Sequence, residues 1–118
     1  MKILIVDDSS TMRRILKTQL EGIGSFTMLE AANGEEAIGI LQNNMPIDIM
    51  MLDWNMPVMD GMTCLQTIRR DPLYKDVRIV MCTSESEKTK VVEAIKEGAN
   101  NYIVKPFTPE TVKEKLGL

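Results

Sequence analysis

The segment Ile49-Met50-Met51-Leu52-Asp53-Trp54-Asn55-Met56-Pro57 constrains the fold more than any other stretch. Four apolar residues without alternation run straight into an acid, and Met56-Pro57 and Asp60-Gly61 turn the chain just beyond it. A short apolar run of this kind is the pattern of a strand covered on both faces, as in a parallel sheet between layers of helices. Asp53 then falls at the carboxyl end of the strand, where open parallel sheets bind their ligands. A carboxylate at that point is poorly hydrated and needs a partner.

The rest of the chain repeats the pattern. Ile3–Val6 is a second uninterrupted apolar run and ends in Asp7-Asp8-Ser9-Ser10, which offers helix caps. Met12, Ile15, Leu16, Leu20 and Ile23 then recur at helical spacing, closed by Gly22 and Gly24. Phe26–Ala31 reads as a more polar strand toward a sheet edge. Asn33-Gly34 turns the chain into a helix from Glu35 to Asn44 with Ala37, Ile38 and Leu41 inward. Beyond Gly61, Met62, Leu65 and Ile68 define a third helix that ends near Asp71-Pro72. Arg78–Cys82 is a buried strand that delivers Thr83-Ser84-Glu85-Ser86. Val91, Val92 and Ile95 mark a fourth helix, stopped at Gly98. Asn101–Val104 runs into Lys105-Pro106-Phe107. Thr108-Pro109 is a capping residue followed by proline at the first helical position, with Val112 and Leu116 inward. The stretch from Pro109 to Leu118 holds fewer turns than the mean helix of about 11–12 residues, so the last helix is expected to be short. Five strand–helix units in succession predict an α/β fold, a doubly wound (βα)5 arrangement around a five-stranded parallel sheet. A length of 118 residues suits one domain, residues 1–118.

Composition excludes several function classes. A net charge of −3 gives nucleic-acid binding no electrostatic support. No apolar run approaches the ~20 residues that span a membrane, and the amino terminus reaches acid too early for a signal peptide. Cys64 and Cys82 are too few for a disulfide framework or a zinc site and read as reduced thiols of a cytoplasmic protein. The absence of histidine removes imidazole acid–base chemistry, imidazole metal ligation and any phosphohistidine on this chain. The ten methionines read as flexible core filler.

In a parallel sheet all carboxyl ends lie on one edge. Asp7, Asp8, Asp53, Thr83 and Lys105 therefore converge on one pocket of three carboxylates, a hydroxyl and an ammonium. Alone, the aspartate pair reads as a helix cap, Thr83 as a turn residue and Lys105 as a solvated loop charge. Asp53 has no such ordinary role, and the conjunction favours a site. Three close carboxylates resist full ionisation. A hard divalent cation relieves the repulsion, and with oxygen ligands alone magnesium is the natural candidate.

The residues Val6-Asp7-Asp8-Ser9, Thr11-Met12-Arg13-Arg14, Asp53-Trp54-Asn55-Met56-Pro57, Met59-Asp60-Gly61, Thr83 and Val104-Lys105-Pro106-Phe107-Thr108 carry a resemblance. Across essentially the whole chain, the sequence resembles the receiver domain of bacterial two-component response regulators. The Asp-Trp-Asn-Met-Pro and Thr-Met-Arg-Arg runs resemble its chemotaxis branch. The resemblance implies the flavodoxin-like strand order 2-1-3-4-5. It implies that Asp53 accepts a phosphoryl group from a histidine kinase. Asp8, Asp53 and the Asn55 carbonyl would ligate Mg2+, with Asp7 acting through water, while Lys105 and Thr83 contact phosphoryl oxygens. It also implies a cis Lys105–Pro106 peptide, open to this bond because proline follows.

The resemblance further implies a switch in which Thr83 moves toward the phosphoryl group and Tyr102 turns inward. The face bearing Lys88, Lys90, Tyr102 and Lys113 would then bind a flagellar motor switch protein. Asn55 and Glu85 would tune the lifetime of the phosphate, with or without a partner phosphatase, and the expected working form is a cytoplasmic monomer. Three rival readings fit the residues less well. A haloacid-dehalogenase-type phosphatase needs a second acid two residues after its nucleophile, where Asn55 stands. A flavodoxin-like or nucleotide-binding module needs a glycine-rich cradle, where Asp-Asp-Ser-Ser stands. A receiver cut from a larger regulator is disfavoured by the chemotaxis signatures.

Overall fold

Each of the unalternating apolar runs forms a central strand in the computed structural model, which describes residues 1–84 and 89–118. Strands β1 (Lys2–Val6), β2 (Thr27–Ala31), β3 (Ile49–Asp53), β4 (Arg78–Thr83) and β5 (Asn101–Val104) form one parallel sheet in the order β2-β1-β3-β4-β5. Helices α1 (Ser10–Glu21), α2 (Gly34–Asn44), α3 (Gly61–Arg69), α4 (Val91–Lys96) and α5 (Pro109–Leu116) connect and cover them, with a 3-10 turn at Pro72–Tyr74. The predicted class and order are both observed. The polar strand β2 lies at one edge, and α5 is short, at 8 residues.

Alternation along the strands divides the core into two layers. Leu4, Met50, Leu52, Ile79 and Met81 face α2 and α3 with Ala37, Leu41, Leu65 and Ile68. Ile3, Ile5, Ile49, Met51, Val80 and Ile103 face α1 and α5 with Leu16, Leu20, Val112 and Leu116. Burying each such side chain contributes about 1.5–3 kcal/mol, and this burial closes both faces of the sheet. Helix starts follow local chemistry. Ser9, Asn33, Asp60 and Thr108 each accept a backbone N–H from the first turn of α1, α2, α3 and α5 respectively.

Two apolar stripes differ from their sequence reading. Ile15 on α1 is 44% exposed while Leu16 and Leu20 carry the buried face. On α4, Val91 and Ala94 turn inward, whereas Val92 and Ile95 are exposed. Six residues cannot bury apolar positions all round, so α4 keeps two apolar side chains on its outer side.

The amino-terminal edge of the sheet is held by Arg69, which periodicity did not single out. Its guanidinium donates to the carbonyls of Gly98 (2.9 Å), Tyr74 (3.0 Å) and Val77 (2.7 Å) and to Asn100 Oδ1 (2.9 Å). One planar fork thus ties the end of α3 to the starts of β4 and β5. Gly98 adopts φ +109°, and a Cβ there would meet the Arg69 side chain, so glycine is needed on both counts. Among the described residues, no helix is long and apolar enough to cross a membrane.

Gly39 lies within α2 with open space where a Cβ would stand. A helical glycine costs about 0.5–1 kcal/mol relative to alanine. Gly39→Ala is therefore expected to stabilise the fold by about that amount, measured as a higher midpoint in urea unfolding with an unchanged slope.

Candidate functional site

The carboxyl-terminal edge of the sheet gathers the predicted residues. Asp53 ends β3 and pairs with Cys82 of β4, so it continues the face of Ile49 and Met51, beneath α1 and α5. Asp7 and Lys105 follow β1 and β5 directly, and alternation from Ile5 and Ile103 brings both to that same side. The Lys105 ammonium lies 2.7 Å from Asp53 Oδ1 and 3.3 Å from Asp7 Oδ2. Asp7 and Asp53 are buried and Asp8 is exposed; one carboxylate oxygen from each lies within 4.8 Å of the others.

Asp7 is held through both its backbone and its side chain. Its N–H donates to the Ala31 carbonyl (3.1 Å), and its Oδ1 accepts the Ser9 N–H (2.9 Å). Its own carbonyl accepts from Arg13 Nη1 at 2.6 Å. Gly61 permits the start of α3 to lie against the Asp53 carbonyl, where any Cβ would clash with backbone. The Gly61 N–H donates to the Trp54 carbonyl at 2.9 Å, closing the turn after β3. Neither Arg13 nor Gly61 was read as a site residue from sequence, although both lie inside quoted motifs. Their work is done through backbone, which side-chain chemistry does not advertise.

Burial pushes the Asp53 carboxyl up most strongly, the hydrogen bond from Lys105 opposes this, and the charge of Asp7 adds to the rise; the net shift is upward. Burial works against the Lys105 ammonium, but the hydrogen bond and charge of Asp53, with the charge of Asp7, outweigh it and raise its pKa. One ammonium therefore does not compensate the acids. The donor set consists of hard oxygens with uncompensated negative charge, and it fits a divalent cation such as magnesium.

Thr83 ends β4 fully buried, and its carbonyl accepts the Lys105 N–H at 2.7 Å. Its Oγ1 has no hydrogen-bond partner among the described residues. A buried hydroxyl left without a partner is costly, so this position is free to engage a group that enters the pocket. The Lys105–Pro106 peptide is cis.

The remaining predicted residues are spread further. Asn55 is exposed, two residues beyond Asp53. Tyr102 is half-buried against the α2–α3 layer, with Lys115 Nζ 4.6 Å from its ring centroid. Lys115, unremarked in the sequence, is thus the α5 lysine on Tyr102, and Lys113 is exposed on the same helix. Lys90, at the start of α4, lies 5.8 Å from the Trp54 ring centroid, within cation–π range, and Trp54 is buried next to Asp53 in the chain. Glu85 and Lys88 lie outside the described residues.

The sequence profile of the response regulator receiver domain matches residues 3–117. The chain belongs to the response regulator receiver family. Receiver domains bind magnesium at this acidic pocket and act as signalling modules rather than as conventional enzymes. A Campylobacter jejuni relative named chemotaxis protein CheY homolog is 49% identical over 98% of this chain and 89% of its own length. Chemotaxis protein CheY1 of Helicobacter pylori is 49% identical over 98% and 94% respectively. Among solved structures, Vibrio cholerae chemotaxis protein CheY4 superposes with a TM-score of 0.85 at 36% identity, covering 96% of this chain and 92% of that one. A Clostridium thermocellum receiver domain gives a TM-score of 0.89 at 30% identity, covering 98% and 90%.

The upward shift of Asp53 fixes the sign of a pH effect. Below the ordinary carboxylate range the residue is protonated in both folded and unfolded chains and contributes nothing. As pH rises past that range the unfolded chain ionises first, so stability falls until Asp53 ionises in the folded state too. At neutral pH the Asp53 charge is therefore a cost. Asp53→Asn should raise the metal-free melting temperature by several degrees at pH 7 and lose most of that gain below pH ~4. Calorimetry across that range checks it.

Thr83→Val offers an independent check, because it replaces an unpartnered buried hydroxyl with a methyl group of similar size. Removing such a group should stabilise the resting protein by about 1 kcal/mol. A stability loss in chemical denaturation would argue that Thr83 Oγ1 is satisfied in solution.

Proposed function

We propose that residues 1–118 act as a chemotaxis response regulator, phosphorylated on Asp53 by a histidine kinase and signalling to a flagellar motor switch protein in the cytoplasm. The observation that carries the phosphoacceptor reading is the Lys105 ammonium 2.7 Å from Asp53 Oδ1 at the buried end of β3. It leaves the acceptor oriented and its charge only partly neutralised.

In the transfer, an Asp53 carboxylate oxygen attacks the phosphorus of a phosphohistidine. The O–P bond forms, the P–N bond breaks, and the donor imidazole leaves with the electron pair of that bond. The chain lacks histidine, so the donor is a second protein or a small phosphodonor. Asp8, Asp53 and the Asn55 carbonyl would hold Mg2+, with Asp7 acting through water; when bound, the ion neutralises charge on the phosphoryl oxygens. Lys105 binds one phosphoryl oxygen and Thr83 Oγ1 donates to another. The chain thereby assists its own phosphorylation, and Asn55 and Glu85 limit the access of water to the acyl phosphate.

The output is a change of surface. Thr83 is drawn to the phosphoryl group, and Tyr102 follows into the space it leaves. The face of α4, β5 and α5, with Lys90, Tyr102 and Lys113, then presents a changed shape to the motor protein. The exposed Val92 and Ile95 lie on α4 of that face.

Acetyl phosphate with Mg2+ should add one phosphoryl group to the chain, seen by intact mass and by a change in Trp54 fluorescence. Omitting the metal should slow the reaction at least tenfold, and Asp53→Asn should abolish the product. Equal phosphoryl incorporation in Asp53→Asn would overturn the assignment.

A further inference from the structure

The acidic pocket has a support that lies outside it, on the edge strand. Arg13 of α1 donates from Nη1 to the Asp7 carbonyl at 2.6 Å and from Nε to Glu30 Oε1 of β2 at 2.9 Å. Glu30 also receives the Lys17 ammonium at 3.2 Å. Burial opposes the Glu30 charge, but the hydrogen bonds and charges of Lys17 and Arg13 hold its carboxyl below the ordinary range. Arg13 itself is only 17% exposed at its side chain. Glu30 pairs in register with Ile5, so it lies on the α1 side of the sheet, where Arg13 and Lys17 project.

The contact matters because of which carbonyl it grips. Asp7 lies one residue past the end of β1. Its carbonyl belongs to the peptide that joins Asp7 to Asp8. The orientation of that plane determines where the Asp8 carboxylate points relative to those of Asp7 and Asp53. A charge-assisted hydrogen bond at 2.6 Å is short and strong, and it fixes the plane from outside. The two uses of the guanidinium require its fork: one nitrogen engages Glu30 while another reaches the backbone. An ammonium presents a single nitrogen and cannot span both.

We propose that Arg13 is a positioning residue for the metal pocket, and that Glu30 on the edge strand sets Arg13 for that task. The inference rests on the magnesium site described above. Partners that hydrogen-bond metal ligands directly are worth about 10–100-fold in metal affinity, and Arg13 acts on the backbone that carries those ligands, so its effect falls toward the lower end. Simple charge predicts the opposite sign, because deleting a cation beside a cation site strengthens binding.

The test is magnesium affinity, read from Trp54 fluorescence in the unphosphorylated protein, with melting temperature recorded for each variant. Arg13→Lys keeps the charge and should weaken Mg2+ binding about tenfold. Arg13→Ala should weaken it as well, against the electrostatic expectation. Glu30→Gln, which leaves both Asp7 and Arg13 in place, should weaken it by a smaller factor. Lys17→Ala removes the other ion pair of Glu30 without touching Asp7 and should leave the affinity unchanged.

Arg13→Lys binding within twofold of the parent would overturn the inference, as would tighter binding by Arg13→Ala. An equal loss in Lys17→Ala and Arg13→Lys would also overturn it, by showing that only the stapling of α1 to β2 matters. If the Arg13 variants do not fold, Glu30→Gln decides: an unchanged affinity there overturns the inference. A parent protein that binds no Mg2+ would overturn both this inference and the metal site on which it rests.

Discussion

The Lys105 ammonium between Asp53 and Asp7 is the interaction on which the site depends. A parallel sheet places every strand's carboxyl end on one edge, so three acids from two strands crowd together there. With all three ionised, one ammonium leaves a formal charge of about −2, which a divalent cation cancels. Burial is the main cause of the upward shift of Asp53, and the charge of Asp7 adds to it despite the opposing hydrogen bond from Lys105. A fully neutralised pocket would be more stable and less reactive. The fold tolerates the deficit because two apolar layers, closed on both faces of the sheet, supply stability elsewhere.

Alternation gives the site a second property. Asp53 pairs with Cys82, on the face covered by α1 and α5. Thr83 lies one residue further along β4, and its side chain belongs to the opposite face, together with Met81. Tyr102 is in register with Met81 and therefore shares that face with Thr83. In the proposed switch, movement of Thr83 would therefore be felt on the side where α4 and Tyr102 lie. The one-residue step from Cys82 to Thr83 thus links the layer that holds Asp53 to the layer that holds Tyr102.

Much of this was legible in the sequence because the signals were local and strong. Runs such as Ile3–Val6 and Ile49–Leu52 can only be buried strands, and polar residues at their ends can only meet at one edge. The caps read at Ser9 and Thr108 marked helix starts within a residue or so, while Asn33 and Asp60, read as turn residues, also cap their helices. Orientation around short helices was harder. Ile15, Val92 and Ile95 fit a helical period yet face outward, because period alone does not say which of two apolar arcs meets the sheet. Arg69, Arg13 and Lys115 were illegible for another reason. Each acts through contacts that only the folded chain creates, two of them as backbone carbonyl binders, and no residue-type rule distinguishes such an arginine from a solvated one.

The edge strand shows how one polar residue can answer two demands. A sheet edge exposes unpaired backbone, and charge there discourages pairing with another chain. Glu30 provides that charge on β2, which accounts for the polar character of the strand. Its side of the strand is not free, however, since the register with Ile5 turns it toward α1. A carboxylate in that position needs cations, and α1 supplies Arg13 and Lys17 one helical turn apart. Once Arg13 is held there, its remaining nitrogens lie beside the end of β1, where the Asp7 carbonyl has run past the last residue of its strand. The charge that protects the edge thereby also provides the donor for the backbone that the pocket leaves unpaired.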